Sequence, residues 1–370
     1  MEILLKITPY FLMSLVIAFL LTPLVKKIGL SLDAYAVENG RTVHKGKIVR
    51  IGGVGVFLAF VITMSLLVKT DKTFNAILVG GLIVFLAGLV DDLVDLKPLY
   101  KFLLQIVAAV YVVLMGDIQL DVINLGFLHI NVGVISIALS IFWIVGVTNA
   151  INLIDGLDGL SCGISSIVLC VIGLIGYFMH KTDISIICLI LSGAIMGFLP
   201  YNFHPAKLFV GDCGALFMGY MIACLSLLGF KSSTFISLGF PIIMLFVPLA
   251  DTAIAIIRRK IKGQKISEAD RSHLHHVLMY KVGLSHEHTV LVLYGITLLF
   301  AGDAILMFFN ETIGTIVLAI LCVFAWIFIE LMGMINPKFH PMISLCRKIT
   351  GHPKKSDDAF FEANKINHRD

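Results

Sequence analysis

Apolar stretches of about 20 residues, the length of helix that crosses a bilayer core, recur along this chain and limit what it can fold into. Inside the hydrocarbon core every backbone N–H and C=O must be satisfied within its own segment, which leaves helices as the economical solution. Hydrophobic residues make up 58% and charged residues 14% of the 370, whereas soluble domains carry about a quarter charged. The apolar runs predict an all-α integral membrane protein of about 11 transmembrane helices. They lie near residues 4–24, 51–68, 74–90, 99–115, 132–150, 161–178, 184–202, 208–230, 234–257, 289–308 and 312–334. Met1–Leu24 has neither a basic leader nor a small-residue cleavage pattern, so it reads as a retained first helix. Between Gly116 and Gly133 the apolar residues partly alternate, which predicts a small surface hairpin.

Charge sorts by side. The loops that follow the odd-numbered helices, together with the C-terminal tail, hold 23 of the 28 Lys and Arg residues. The positive-inside rule then places the N-terminus outside and the C-terminus in the cytoplasm. The carboxylates Asp91, Asp92, Asp95, Asp155, Asp158, Asp212, Asp251, Glu268 and Asp270 fall on that same side. The rule does not govern acidic residues, so their clustering needs another cause, and an active site supplies one. The seven cysteines contain no C-x-x-C pair, which argues against a zinc or iron–sulfur framework built on thiolates.

Four clusters carry chemistry. In the first, Gly88-Leu-Val-Asp91-Asp92-Leu-Val-Asp95 ends an apolar helix with three carboxylates, Asp91 and Asp95 sharing a face. Acids at a helix C-terminus oppose the macrodipole, a cost that a cation or a cationic partner offsets. In the second, Asn149-Ala-Ile-Asn152-Leu-Ile-Asp155-Gly156-Leu-Asp158-Gly159 offers oxygen ligands for a hard cation and glycines for close backbone approach. In the third, Asp212 lies between Gly211 and Cys213-Gly214 at the start of a helix, where it reads equally as an N-cap or a ligand. In the fourth, Arg258-Arg259-Lys260 precedes Asp270-Arg271-Ser-His273-Leu-His275-His276, a group suited to phosphate oxygens. Asp251, just inside a helix, is a functional candidate because ionisable residues in membrane spans are costly. Together these residues suggest metal-assisted phosphoryl transfer. No P-loop and no serine nucleophile elbow are present.

From Arg41 to Lys281, the motifs occur in the order of a known family: Arg41-Thr-Val-His44 with Gly52-Gly53, the three-Asp motif with Lys101 and Gln105, the Asn152/Asp155/Asp158 loop, Gly211-Asp212 and the histidines. The chain resembles the polyprenyl-phosphate N-acetylhexosamine-1-phosphate transferases (glycosyltransferase 4 type). The resemblance implies that Asp91 and Asp92 are paired catalytic aspartates and that Asp212 and Asn152 hold Mg²⁺, with Mn²⁺ as a substitute. It places Asp155, Asp158, Phe209, Arg271, His273, His275 and His276 around the nucleotide-sugar, and makes Arg41, His44 and Lys101 candidates for the lipid phosphate. Residues 1–335 would then form one polytopic catalytic domain with active-site loops at about 26–50, 91–101, 149–160, 200–214 and 258–288, followed by a cytoplasmic tail at 336–370. One departure stands out: Ile48-Val49-Arg50-Ile51 precedes the Gly-Gly pair where many relatives have proline.

The His-x-His-His form is similar to the WecA/TagO branch, which implies transfer of N-acetylglucosamine-1-phosphate from a UDP-sugar to undecaprenyl phosphate at the cytoplasmic face of a bacterial plasma membrane. The alternative within the family is an MraY-like phospho-MurNAc-pentapeptide transferase. The expected partners are the UDP-sugar donor, the polyprenyl phosphate acceptor and membrane lipids, with a homodimer allowed for and nucleic acid excluded. A transporter of lipid-linked anions would place charge near the bilayer midplane within repeated halves; here the charge gathers at one face and no repeat is visible. The topology is testable. A reporter fused after Asp370 should be cytoplasmic, and Gly126→Cys should react with an impermeant thiol reagent from outside; labelling only after lysis would invert the assignment.

Overall fold

The computed structural model describes residues 2–36, 48–120, 122–124, 129–131, 133–230, 239–264, 273–335 and 341–342. It is dominated by helices. Those that follow the predicted runs are α1 (Glu2–Ser31), α2 (Gly53–Leu67), α3 (Lys72–Val94), α4 (Pro98–Met115), α5 (Ser136–Ile154), α6 (Leu160–Phe178), α7 (Thr182–Asn202) and α8 (Gly211–Phe230). Next come α9 (Gly239–Met244), α10 (Phe246–Ile261), α11 (Leu274–Tyr280), α12 (His286–Phe309) and α13 (Glu311–Leu331). Two short antiparallel pairs complete the elements: β1 (Tyr35–Ala36) with β2 (Ile48–Val49), and β3 (Val122–Asn124) with β4 (His129–Asn131). The second pair is the hairpin that the alternation between residues 116 and 133 predicts.

Among the described residues, nine helices are long and apolar enough to span a membrane, while α2 is a shorter apolar helix. The run at 234–257 differs from its reading as one span, because it contains two helices that meet at Leu245. Pro248 explains the break. It has no N–H to donate to the carbonyl four residues earlier, and its ring crowds that carbonyl. The predicted span at 132–150 also shifts, to Ser136–Ile154, after a short 3₁₀ turn over Gly133–Ile135.

Helix α8 lies at the centre: most of its side chains are buried, including Phe217, Tyr220 and Met221. It packs against α3 and α5, while α1 packs against α7 and α7 against α6. Peripheral α13 leaves a broad apolar surface, the arrangement expected where lipid is the solvent. Small residues set the closest approaches. A Cβ on Gly88 of α3 would lie 2.6 Å from the backbone of Asp212 and Cys213. Gly52 and Gly53 donate N–H bonds to the carbonyls of Phe209 and Val210, at 2.9 and 2.7 Å, and the N–H of Phe209 donates to Val49 at 2.9 Å. Residues 49–53 therefore pair along the segment leading into α8. Gly88→Ala should push α3 off the start of α8 and cost about 1–3 kcal/mol, the usual scale for overpacking; thermal unfolding in detergent should show a lower midpoint.

Candidate active site

The acidic end of α3 meets the start of α8. Both oxygens of Asp92 accept backbone N–H bonds, from Asp212 and Cys213, each at 2.9 Å. Asp92 thereby caps α8 from a neighbouring helix, supplying negative charge where unpaired N–H groups and the helix dipole favour it. Arg50 caps α3 from the other direction. Its guanidinium donates to the carbonyl oxygens of Asp91 and Asp92, both at 2.7 Å, and to the Asp95 carboxylate at 2.6 Å. The cost of acids at that helix C-terminus is thus offset by a cation (Arg50) placed on its last carbonyls. Sequence reasoning noted Arg50 only in the stretch before the Gly-Gly pair and gave it no place in the site.

Asp91 faces a different environment from Asp92. Its Oδ1 accepts from the Leu96 N–H at 2.8 Å, and its Oδ2 accepts from Lys101 at 3.0 Å. The same ammonium donates to Asp212 Oδ2 at 2.6 Å. Asn152 and Asp91 also lie within interaction range of the Asp212 carboxylate. The residues expected as a catalytic pair are therefore distinct: Asp91 opens onto the cluster, whereas the Asp92 carboxylate is committed to holding the Gly211–Cys213 turn. Gly211 makes that turn possible, with φ of +69° and the Asp92 carboxylate packed against it.

The loop after α5 completes the cluster. Ser161 donates to Asp155 at 2.5 Å. Burial pushes the Asp155 carboxyl up to about 7; the Ser161 bond opposes this, while the charges of Asp212 and Asp158 add to it. Asp158 accepts the Ala206 N–H at 3.1 Å and pairs with His204 Nδ1 at 2.8 Å, so its carboxylate ties the 155–159 loop to the loop after α7. Asn202 bonds across the same junction, accepting from the Gly159 N–H at 3.1 Å and donating to the Leu208 carbonyl at 3.1 Å. Phe209 lies in the segment paired with residues 49–53.

The histidines hang from α10. Asp251 pairs with His273 Nδ1 at 2.8 Å and accepts the Leu274 N–H at 2.7 Å, which starts α11. His275 packs directly over Gly156, where a Cβ would lie 2.5 Å from its Nε2. Burial, with His276 beside it, pushes the His275 imidazole down to about 3. His275 is therefore neutral in the physiological range, and its buried Nδ1 has no partner among the described residues. Arg41, His44 and Arg271 lie outside the described residues. Of the remaining expected residues, Asp91, Lys101, Asn152, Asp155 and Asp212 converge directly, with Asp92 behind them. Asp158 and His275 join through the loop after α5.

The oxygens of Asp91, Asp212 and Asn152 suit a hard divalent cation, and an ammonium already bridges two of the carboxylates. The donor set thus fits the magnesium ion that the family resemblance implies.

Residues 74–230 match the model of glycosyl transferase family 4. The chain is 40% identical to a probable undecaprenyl-phosphate N-acetylglucosaminyl 1-phosphate transferase of Bacillus subtilis, over 94% of this chain and 98% of that protein. It is 32% identical to a decaprenyl-phosphate N-acetylglucosaminephosphotransferase of Mycobacterium tuberculosis, over 80% of this chain and 81% of that one. A phospho-N-acetylmuramoyl-pentapeptide-transferase of Staphylococcus aureus is 30% identical, over 78% of this chain and 95% of its own. The chain belongs to glycosyl transferase family 4, as a multi-pass membrane transferase.

The packing of His275 on Gly156 yields a test. Gly156→Ala should displace the imidazole and reduce transferase turnover by about 10-fold or more, the scale for a misplaced site group. It should leave the unfolding midpoint nearly unchanged, as the clash is with one side chain. Full activity would show that the placement of His275 is unimportant.

Proposed function

We propose that the protein transfers N-acetylglucosamine-1-phosphate from UDP-N-acetylglucosamine to undecaprenyl phosphate, giving a lipid-linked pyrophosphoryl sugar and UMP. This would be the first membrane step of a cell-envelope polysaccharide pathway, carried out at the cytoplasmic face of a bacterial plasma membrane. One observation carries the reading. Asp91, Lys101, Asp212 and Asn152 converge where apolar helices end, so a phosphate on a membrane-bound lipid can meet a nucleotide from water. The extent of the match to the Bacillus subtilis relative favours this donor over a MurNAc-pentapeptide.

In this reaction a phosphate oxygen of the acceptor attacks the sugar-bearing phosphorus of the donor, and UMP leaves. Asp91 holds the acceptor phosphate in line and accepts its proton when the monoanion binds. Lys101, now shared between Asp91 and Asp212, turns to the phosphate oxygens as they arrive. Asp92 acts one step removed, fixing Asp212 through the start of α8. Asp212 and Asn152, with Asp91 beside them, would hold Mg²⁺, which supplies Lewis-acid neutralisation of the diphosphate. Asp155 and Asp158 shape the nucleotide loop. His275 offers a neutral nitrogen to the donor, leaving the positive charge there to Arg271.

The test is UMP release by detergent-solubilised protein given undecaprenyl phosphate, Mg²⁺ and either UDP-N-acetylglucosamine or UDP-MurNAc-pentapeptide. Turnover is expected with the first donor alone, and preference for the second would move the protein to the other branch. Asp212→Ala should abolish turnover. Asp91→Asn should lower kcat by about 10²–10⁴-fold at saturating donor, the scale of a general base. If Asp91→Asn changes only the donor KM, its assignment to the acceptor is wrong.

A further inference from the structure

Three ligand-bearing side chains meet at the nucleotide loop, two of them histidines to which the transferase reading gives no role. Asp158 follows α5, His204 follows α7, and His286 begins α12. One ligand atom from each lies within 4.8 Å of the others. The two imidazole rings stack with centroids 4.2 Å apart and planes 25° from parallel. His204 Nδ1 is 2.8 Å from the Asp158 carboxylate. Among the described residues, His286 Nε2 accepts a long bond, 3.3 Å, from the Asp158 N–H, and its buried Nδ1 has no partner.

Hydrogen bonding alone accounts for the Asp158–His204 pair. It does not account for bringing a second imidazole, from a helix more than 80 residues further along, against the first with one nitrogen unmatched. An imidazole offers a ring nitrogen to a metal ion, and here two of them face one carboxylate. Two imidazoles and a carboxylate form a donor set of intermediate softness, which suits Zn²⁺ rather than Mg²⁺. The all-oxygen set around Asp212 has the opposite preference, so the two centres take different metals.

We propose that Asp158, His204 and His286 form a Zn²⁺ site that pins the nucleotide loop to the loop after α7 and to the start of α12. The carboxylate and one nitrogen from each ring bind the ion, and the fourth tetrahedral position is left to water. Bonds of roughly 2.0–2.2 Å place tetrahedral ligands about 3.3 Å apart, so the three side chains close by about 1.5 Å or less on binding. That closure lies within the reach of rotamer changes at the ends of two loops.

The experiment uses full-length protein in detergent, stripped with a chelator, dialysed and titrated with ZnCl₂ in excess Mg²⁺. Elemental analysis should find one zinc per chain, calorimetry should give micromolar or tighter binding, and the unfolding midpoint should rise by several degrees. His204→Ala and His286→Ala should each lose the retained zinc and the rise, while His276→Ala keeps both. Co²⁺ in place of Zn²⁺ should give the visible absorption of a tetrahedral nitrogen–oxygen site in the unmodified protein, a readout independent of whether the variants fold. No stoichiometric zinc, an octahedral cobalt spectrum, or zinc that survives both His204→Ala and His286→Ala would overturn the site. Because metal content and midpoint are read without substrate, failure here is distinguishable from failure of the transferase reading.

Discussion

The Asp92 carboxyl group stays buried because both its oxygens have partners: the first N–H groups of α8. Removing it would leave those donors unsatisfied inside the protein, a loss of about 1–3 kcal/mol per group. Other contacts lean on that junction. Arg50 reaches across to the last carbonyls of α3, Gly88 lets the two backbones touch, and Gly52 and Gly53 pair with the segment that enters α8. With the junction in place, Asp91 and Asp212 are close enough to share one ammonium. The carboxylate cradle is therefore a product of backbone-to-backbone packing, and its geometry is inherited from the helix ends.

The histidine side of the site is assembled separately. Asp251 sets the start of α11, and α10 is fastened below by Arg258, which donates to the Met334 carbonyl at 2.6 Å. Lys281 donates to Met332 at 2.7 Å and ties the end of α11 to the same turn. The end of α13 thus holds the histidine segment, although α13 itself contributes no residue to the cluster.

Much of this was legible in the sequence, for reasons that differ by feature. Runs of apolar residues announce membrane helices because the bilayer demands length and apolarity at once, and the acidic motifs stand out against that background. The hairpin at 122–131 showed in its alternation. The break at Leu245 did not, because an apolar run reads the same whether one helix or two carry it; Pro248 was the available signal. Arg50 looked like any basic residue beside a membrane, and its role depends on Asp91, 41 residues away. His204 and His286 meet Asp158 across 46 and 128 residues, distances at which no periodicity survives. Splitting the roles of Asp91 and Asp92 likewise needed coordinates, since adjacent aspartates look alike in a motif.

The contact between Gly156 and His275 has a consequence for how such a site can change over generations. Most pockets are tuned gradually, by trimming or extending a side chain that lines them. Here bare main chain faces the imidazole, which rests directly on it. No smaller residue exists to replace glycine, and the next larger one already collides. Position 156 therefore offers no intermediate steps: any side chain introduced there meets the ring, and accommodating one calls for a change at position 275 as well.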